Sequence, residues 1–298
     1  MQAPDKVLIL GVTGAIGRGL PRLLQAAGYQ VTGVSRRDNP QLEGVCGWQT
    51  PEALDPAGHV AVINLAGETI SKRWTESNKQ AFRESRVGLT RRLVKAMARL
   101  PEDQRPKVLV NGSAVGYYGD RKEEELTEDS SMGEGYLAEL CRDWEAAALD
   151  SRKHGLRVVT LRTGVVLGRE ADAWQKLAGV IKTGLGGKLG SGRQWMPWIH
   201  VEDLRRAIVH AIQTQSISGP INGSAPAPER NADLTGKIAK AFGRPAILPV
   251  PGFALRIVVG GFASALLAST RALPKKLESH GFEFRYPTLE KALEELVD

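Results

Sequence analysis

The stretch VLILGVTGAIGR, residues 7–18, decides the fold of this chain. Four apolar residues typical of a buried strand are followed by Gly11, Gly14 and Gly17, and a helical pattern begins at Arg18. Glycines at this spacing let the chain turn tightly, let a pyrophosphate approach main-chain N–H groups and let the helix pack closely on the strand. The stretch therefore predicts a dinucleotide-binding loop. The alternative is a packing turn that holds no ligand.

Strand-like and helix-like segments alternate through the first half of the chain. Helical patterns cover residues 18–27, 76–100 and 135–154. The apolar runs that separate them are residues 7–10, 30–35, 59–67, 107–115 and 156–168. Nearly continuous apolar strands are typical of parallel sheets, because such strands are buried on both faces. The pattern predicts an α/β fold, a Rossmann-type doubly wound parallel sheet.

The alternation loosens after residue 168, where glycine and tryptophan become frequent between residues 184 and 198. We therefore expect an NADP-binding domain over residues 1–168, to which later strands or helices can return. A smaller substrate-side region follows over residues 169–298 and includes the C-terminal segment 248–298. That segment is expected to hold an apolar helix and then a charged helix near residues 288–297.

Composition excludes several classes of function. The 298 residues carry a net charge of +7, but the lysines and arginines are scattered, which argues against nucleic acid and favours an anionic small ligand. The most apolar window, residues 250–269, contains Pro251 and Arg256, which argues against a membrane span. Cys46 and Cys141 form no metal-ligand spacing and no disulfide framework, so a cytoplasmic location is expected. A homodimer through the apolar helix is left open.

The end of the second predicted strand indicates which dinucleotide binds. An NAD site requires an acid there for the ribose 2′-hydroxyl, whereas this chain has Ser35, Arg36 and Arg37. Two guanidinium groups suit a 2′-phosphate, which arginine can bind through two hydrogen bonds. The sequence therefore predicts NADP(H) rather than NAD(H). The alternative is a solvated basic turn.

Further cofactor contacts are expected where the third predicted strand ends and on the helix that follows it. Small residues after Asn64 permit close approach, although a simple strand-to-loop turn has the same composition. Arg86 is expected to point toward the cofactor or toward a carboxylate of a neighbouring helix. The predicted cofactor contacts are Gly11, Thr13, Gly14, Ala15, Ile16, Gly17, Ser35, Arg36, Arg37, Asn64, Leu65, Ala66, Gly67, Glu68, Arg86, Gly164 and Val165.

Several motifs occur in the order typical of one superfamily: NLAGETISKRW (64–74), SAVGYYGD (113–120), LAELCRDWE (137–145) and GSGRQWMPWIHVEDL (190–204). With the glycine loop, they resemble the extended short-chain dehydrogenases/reductases and, more narrowly, their atypical nucleoside-diphosphate-sugar-epimerase-like branch. The stretch LPKKLESHGFEFRYPTLEKAL (273–293) resembles the terminal domain of that branch, whose role is unassigned. Members are described as epimerases or as cell-division inhibitors.

The resemblance implies a Tyr-x-x-x-Lys pair and a serine or threonine, which this sequence does not supply. Tyr136 is followed four residues later by Leu140. Alignment on the downstream acid Glu145 instead places Leu137 and Cys141 at the tyrosine and lysine positions. Ala114 falls at the serine/threonine position, and Ser113 precedes it by one residue, a step that turns a strand side chain to the other face.

Other groups must therefore carry any acid–base chemistry. The catalytic candidates are Glu68, Ser113 and Tyr117, with Glu68 expected to act as a base if burial raises its pKa; a surface or salt-bridged acid is the alternative. The substrate candidates are Arg73, Tyr118, Arg193 and Trp195, against the alternatives of core packing and a structural glycine loop.

His200 and its neighbouring acids are expected to organise a turn, with Asp203 capping the following helix. The sequence thus predicts an NADP(H)-binding epimerase or oxidoreductase that acts on a polar small molecule, with nucleotide-linked compounds among the candidates. The alternative is a catalytically weak NADPH-sensing regulator linked to cell division.

Overall fold

The strands follow the predicted apolar runs. The computed structural model describes residues 4–37, 40–246 and 248–297. Its strands are β1 (Lys6–Leu10), β2 (Gln30–Val34), β3 (Gly47–Gln49), β4 (Ala61–Asn64), β5 (Val108–Ala114), β6 (Glu125–Leu126), β7 (Arg157–Thr163), β8 (Val165–Leu167), β9 (Trp195–Met196), β10 (Trp198–His200), β11 (Gly219–Gly223), β12 (Glu229–Arg230) and β13 (Arg271–Ala272). Seven of them form one parallel sheet in the order β3-β2-β1-β4-β5-β7-β11.

Helices cover both faces of this sheet. They are α1 (Leu20–Ala26), α2 (Glu76–Arg83), α3 (Leu89–Ala98), α4 (Tyr136–Leu149), α5 (Asp172–Lys182), α6 (Val201–Gln213), α7 (Asn231–Ala241), α8 (Gly252–Val259), α9 (Ala263–Leu267), α10 (Lys275–Ser279) and α11 (Leu289–Val297). A π-helical turn, Glu84–Gly88, joins α2 to α3.

Strand β1 shows why the fold is doubly wound. Its residues Val7 and Ile9 pack in one core with side chains of α1 and α6, whereas Leu8 and Leu10 pack in a second core with side chains of α3. All four side chains are buried, as expected for a parallel strand with helices on both sides. The Rossmann-type α/β fold predicted from the sequence is confirmed.

The strand order reverses between β1 and β4, since β1 pairs with β2 on one side and with β4 on the other. In open α/β sheets, ligands bind outside the carboxyl ends of the strands at such a reversal. The glycine loop follows β1 directly, so the topology places it at this position.

The elements that were not predicted from the sequence are the helices α5, α7 and α10 and the short strands β3, β6, β9, β12 and β13. The predicted helix 76–100 is divided by the π-helical turn into α2 and α3. The apolar segment after Pro251 forms two short helices instead of one, because Gly260 adopts a φ of +61° at the end of α8. Strand β11 lies beyond residue 168 yet forms the edge of the main sheet next to β7, as the expectation that later strands join the first domain allows. The division at residue 168 itself stays a prediction.

The C-terminal segment is fixed to the first turn of α6. The fully buried Asp203 carboxylate accepts hydrogen bonds from the main-chain N–H groups of Arg285 and Tyr286, each at 2.8 Å. The expectation that Asp203 caps α6 is wrong, because the His200 side chain is the cap and accepts from the N–H of Glu202. No helix in the described part of the chain has the length and apolarity to span a membrane.

Candidate functional site

Three glycines shape the loop after β1, each for a different reason. Gly11 has a φ of +81°, and a Cβ there would lie 2.9 Å from the Ala66 nitrogen. A Cβ on Gly17 would lie 2.2 Å from the Gly11 carbonyl oxygen, so this glycine lets the helical turn pack against the strand. A Cβ on Gly14 would approach only that oxygen, at 3.3 Å. Of the three positions, Gly14 is therefore the one at which contacts within the protein least require a glycine.

An arginine of α6 is hydrogen-bonded to the main chain of the glycine loop. Arg205 donates a hydrogen bond from Nη2 to the Ala15 carbonyl at 2.7 Å and from Nε to the Ile16 carbonyl at 2.9 Å. Burial lowers the pKa of this guanidinium. Arg205 binds only carbonyl oxygens of the loop and so orders the turn without occupying its N–H groups. The sequence analysis did not identify this residue, because nothing local links it to a loop 189 residues earlier.

The end of β2 has the form that the sequence predicts. Ser35 is buried, and its hydroxyl accepts a hydrogen bond from the N–H of Arg37 at 3.0 Å. This bond orders the turn, and both Arg36 and Arg37 are exposed. Two guanidinium groups therefore stand at the carboxyl end of the strand next to β1, where a 2′-phosphate would lie.

The segment Asn64–Gly67 contributes main chain rather than side chains. The Asn64 amide is fully buried and donates to Thr90 Oγ1 at 2.9 Å and to Asn111 Oδ1 at 2.7 Å. Its side chain therefore holds β4 to its neighbours and cannot also bind a cofactor. Leu65 and Ala66 pack against Gly11, as described above.

Arg86 lies beside this segment with its charge unneutralised. Its guanidinium carbon would be 3.0 Å from a Cβ on Gly67 and lies 5.3 Å from the Trp144 ring centroid. Its hydrogen bond is a long one, 3.4 Å, to the Phe82 carbonyl, and no carboxylate within residues 4–37, 40–246 and 248–297 pairs with it. Burial lowers its pKa, although an arginine stays charged in proteins. This guanidinium is available for an anion.

Ile16, Leu65 and Arg86 border a cleft of about 490 Å³, whereas Gly11, Gly14 and the Ser35–Arg37 turn are not among its lining residues. Strands β5 and β7, helix α4 and the α8–α9 segment form its walls. Of the residues predicted from the sequence, the cleft brings together Ile16, Leu65, Arg86, Ser113, Gly164, Val165 and Trp195.

The positions of the expected tyrosine and lysine are visible in this cleft. Leu137 and Cys141 line it next to Ser113, in agreement with alignment on Glu145. Burial raises the pKa of the Cys141 thiol to about 11, so it stays protonated at neutral pH. Tyr136 also lines the cleft, but its hydroxyl donates to the Lys79 carbonyl at 3.2 Å.

The Ser113 side chain is hydrogen-bonded to a buried ion pair. The Ser113 hydroxyl donates to Glu145 Oε1 at 2.6 Å, and Arg162 binds the two oxygens of that carboxylate at 2.9 and 3.0 Å. Burial disfavours the charged guanidinium, but the hydrogen bonds and charge of Glu145 raise the Arg162 pKa above its usual range. Neither Glu145 nor Arg162 was identified from the sequence as a site residue, although the alignment used the former as its anchor.

The structure corrects the expectation for Glu68. Its carboxylate forms a salt bridge with Lys72 at 2.7 Å, and this hydrogen bond lowers its pKa below the usual value. The expectation that burial raises the pKa of Glu68, as a general base would require, is therefore wrong. Glu68 is also not among the residues that line the cleft. The alternative, a salt-bridged loop acid, describes it.

Both tyrosines of the SAVGYYGD stretch serve the interior rather than the cleft. Tyr118 is fully buried and donates its hydroxyl to Asn222 Oδ1 at 2.7 Å, while burial raises its pKa to about 12. Tyr117 stacks on Arg162, whose guanidinium carbon lies 3.5 Å from the ring centroid. Substrate binding by Tyr118 is therefore wrong, because its side chain is fully buried. Tyr117 does not line the cleft, and its catalytic role stays a prediction.

The two predicted anion contacts also lie elsewhere. Arg73 donates to the Ile257 carbonyl at 3.1 Å and so ties the loop after β4 to α8. Arg193 is exposed and does not line the cleft, whereas Trp195 does. Of the glycine-rich loop, the structure thus brings only the tryptophan to the cleft.

The sequence comparisons agree with this architecture. The model of the NAD dependent epimerase/dehydratase family matches residues 7–222, and a domain of unknown function matches residues 250–296. The chain belongs to the NAD dependent epimerase/dehydratase family, within the extended short-chain dehydrogenases/reductases. An epimerase family protein of Mycobacterium bovis is 40% identical over 294 residues, which cover 96% of each chain.

Solved structures extend the likeness to the whole chain. Human epimerase family protein SDR39U1, crystallised with NADPH, superimposes with a TM-score of 0.90 at 36% identity, covering 98% of this chain and 99% of that one. A nucleoside-diphosphate sugar epimerase of Corynebacterium glutamicum gives a TM-score of 0.79 at 35% identity, covering 99% of this chain but 58% of the other. The predicted family is confirmed.

Proposed function

We propose that this chain binds NADP(H) along the carboxyl edge of its sheet and is an NADP(H)-dependent reductase. The observation that carries the proposal is the continuity from the glycine loop to Leu65, Ala66, Gly67 and the unneutralised Arg86. The human relative crystallised with NADPH supports it. Open space at Gly14, where a Cβ would meet little of the protein, fits a ligand that approaches the main chain there.

Each part of the site has a role toward the cofactor. The N–H groups of the loop would hold the pyrophosphate. Arg36 and Arg37 would bind the 2′-phosphate, and Arg86 would neutralise the remaining negative charge from the cleft side. NADPH supplies a hydride when bound. The apolar walls of the cleft exclude water from the place where it is delivered.

The polar groups of the cleft favour reduction over epimerisation. Oxidation of an alcohol, the first step of the usual epimerase route, requires a base that takes the hydroxyl proton. Leu137 cannot do so, and the Cys141 thiol is protonated at neutral pH. A protonated thiol can instead donate a hydrogen bond to a carbonyl oxygen and give its proton to the alkoxide that hydride addition would form, while Ser113 remains bound to Glu145. The thiolate left on Cys141 would then take a proton from solvent. We therefore assign Cys141 as the donor that polarises the substrate.

The test is turnover of carbonyl compounds with purified protein and NADPH, followed by the near-ultraviolet absorbance of the cofactor. We expect NADPH consumption and no change for the exposed Cys46→Ala control. Cys141→Ala should lower kcat by about tenfold, less than the roughly 10²–10³-fold cost of removing a strong oxyanion donor, because a thiol is a weak donor. Interconversion of nucleotide sugars without net NADPH consumption would contradict the proposal and support an epimerase.

A second function is favoured by the replacement of the tyrosine and lysine by Leu137 and Cys141. A protein that binds NADPH without turnover would serve as a sensor of the cofactor. Tight binding of NADPH, with no turnover of any carbonyl compound and no effect of Cys141→Ala, would support this function. A cytoplasmic location and the homodimer stay predictions.

A further inference from the structure

The outer half of the cleft is aromatic and aliphatic. Trp74 lies 5.1 Å from Tyr136 and 6.3 Å from Phe262, measured between ring centroids, and Met196 and Leu266 complete the wall. Trp74 belongs to the loop after β4, Tyr136 to α4 and Phe262 to the α8–α9 segment. Three separate parts of the chain thus deliver apolar surface to one place.

The polar atoms of these aromatic side chains are already bonded inside the protein. The indole N–H of Trp74 donates to the Ile70 carbonyl at 3.1 Å, and that of Trp195 to Glu123 at 3.0 Å. The hydroxyl of Tyr136 donates to the Lys79 carbonyl. The walls therefore offer ring faces and alkyl groups, and their donors are not free for sugar hydroxyls.

Three cations near the cleft are paired with carboxylates. Lys72 is paired with Glu68, Arg230 with Glu123 and Arg271 with Glu125, at 2.7 to 2.9 Å. Arg73 donates to the Ile257 carbonyl, is exposed and does not line the cleft. Among the cleft-lining side chains that the structure describes, the charged ones are Arg86, Asp120 and Glu134, and Arg86 lies beside Gly67 in the segment after β4.

This charge pattern decides the class of substrate. A nucleoside diphosphate brings two negative charges, which proteins bind with arginine or lysine because burial without a counter-charge is costly. The outer cleft offers it the carboxylates of Asp120 and Glu134 instead. We infer that the substrate is a neutral, largely apolar ring compound with a carbonyl group, and not a nucleotide sugar. The inference rests on the proposed NADP(H) function and names its substrate class.

The test measures binding, without turnover, to protein saturated with NADP⁺. Benzophenone, a neutral diaryl ketone, and UDP-glucose are titrated separately by calorimetry. We expect benzophenone to bind at least about tenfold more tightly than UDP-glucose. Ala265 lines the cleft, whereas Ala254 of α8 does not. Ala265→Glu should therefore weaken benzophenone binding about tenfold or more, and the matched Ala254→Glu should change it less than twofold.

Three results would overturn the inference: UDP-glucose binding as tightly as benzophenone, benzophenone binding unchanged by Ala265→Glu, or neither probe binding to the loaded protein. Melting temperatures of both variants show whether they are folded, and Phe262→Ala provides a second cleft variant that carries no new charge. The wild-type protein is first titrated with NADP⁺ alone, and absence of binding in that titration would contradict the proposed function instead. The two failures are therefore distinguishable.

Discussion

A Cβ built on Gly17 falls 2.2 Å from the carbonyl oxygen of Gly11. The first turn of the helix after β1 can therefore approach the strand only without a side chain at position 17. A Cβ on Gly14 reaches the same oxygen at 3.3 Å, a contact that a shift of a few tenths of an ångström relieves. The same motif thus contains one glycine that the fold requires and one that faces mainly open space.

Alanine substitutions at these two positions should separate folding from binding. We expect Gly17→Ala to lower the free energy of unfolding by about 1–3 kcal/mol, as overpacking usually does. Gly14→Ala should keep the wild-type melting temperature and weaken NADPH binding about tenfold, since the new methyl group occupies the approach to the main chain. Denaturant unfolding and fluorescence titration measure the two effects. Wild-type affinity in Gly14→Ala would contradict the assignment of the loop.

Removal of the Arg86 guanidinium should weaken NADPH binding. Loss of a buried cation beside the cofactor is expected to cost about tenfold in affinity or more, equivalent to at least about 1.4 kcal/mol. Arg83→Ala is the matched control, because Arg83 lies one helical turn earlier and is paired with Asp143 on the surface. Equal affinities of Arg86→Ala and Arg83→Ala would show that Arg86 does not contact the cofactor.

The ion pair between Glu145 and Arg162 predicts a large stability effect. Their side chains are only 7% and 4% exposed, so Glu145→Ala leaves a buried guanidinium without its counter-charge. We expect the free energy of unfolding to fall by about 3–5 kcal/mol. Glu139→Ala, an exposed position on the same helix, should change it by less than about 0.5 kcal/mol. Chemical denaturation checks both values, and similar effects in the two variants would be inconsistent with the pair.

The two thiols should differ in reactivity with pH. Alkylating reagents attack the thiolate, and the Cys141 pKa is raised to about 11 by burial. Cys141 should therefore react slowly at neutral pH and speed up only as the pH approaches that value, whereas exposed Cys46 reacts first. NADPH should slow the reaction of Cys141 further, because this residue lines the cleft. Mass spectrometry of labelled peptides would reveal the opposite order if the burial of Cys141 were wrong.

The sequence predicted those features that are encoded locally. The apolar run before Gly11 and the βαβ alternation define the sheet, and Ser35, Arg36 and Arg37 follow β2 as predicted. Tyr118 could not be placed, because its burial depends on Asn222, which lies 104 residues further along the chain. Arg205 is similarly remote from the loop that it orders. The salt bridge of Glu68 with Lys72 joins residues four apart, so their spacing in the sequence was sufficient to predict it.

The central claim is that this site selects the 2′-phosphate of NADP(H). The most direct measurement is fluorescence titration of the wild-type protein and of Arg36→Ala/Arg37→Ala with both NADPH and NADH. The wild type should bind NADPH at least about tenfold more tightly than NADH, a preference of about 1.4 kcal/mol or more. The double variant should lose this preference through weaker NADPH binding, with its NADH affinity unchanged. Equal affinities of the wild-type protein for NADPH and NADH would contradict the claim.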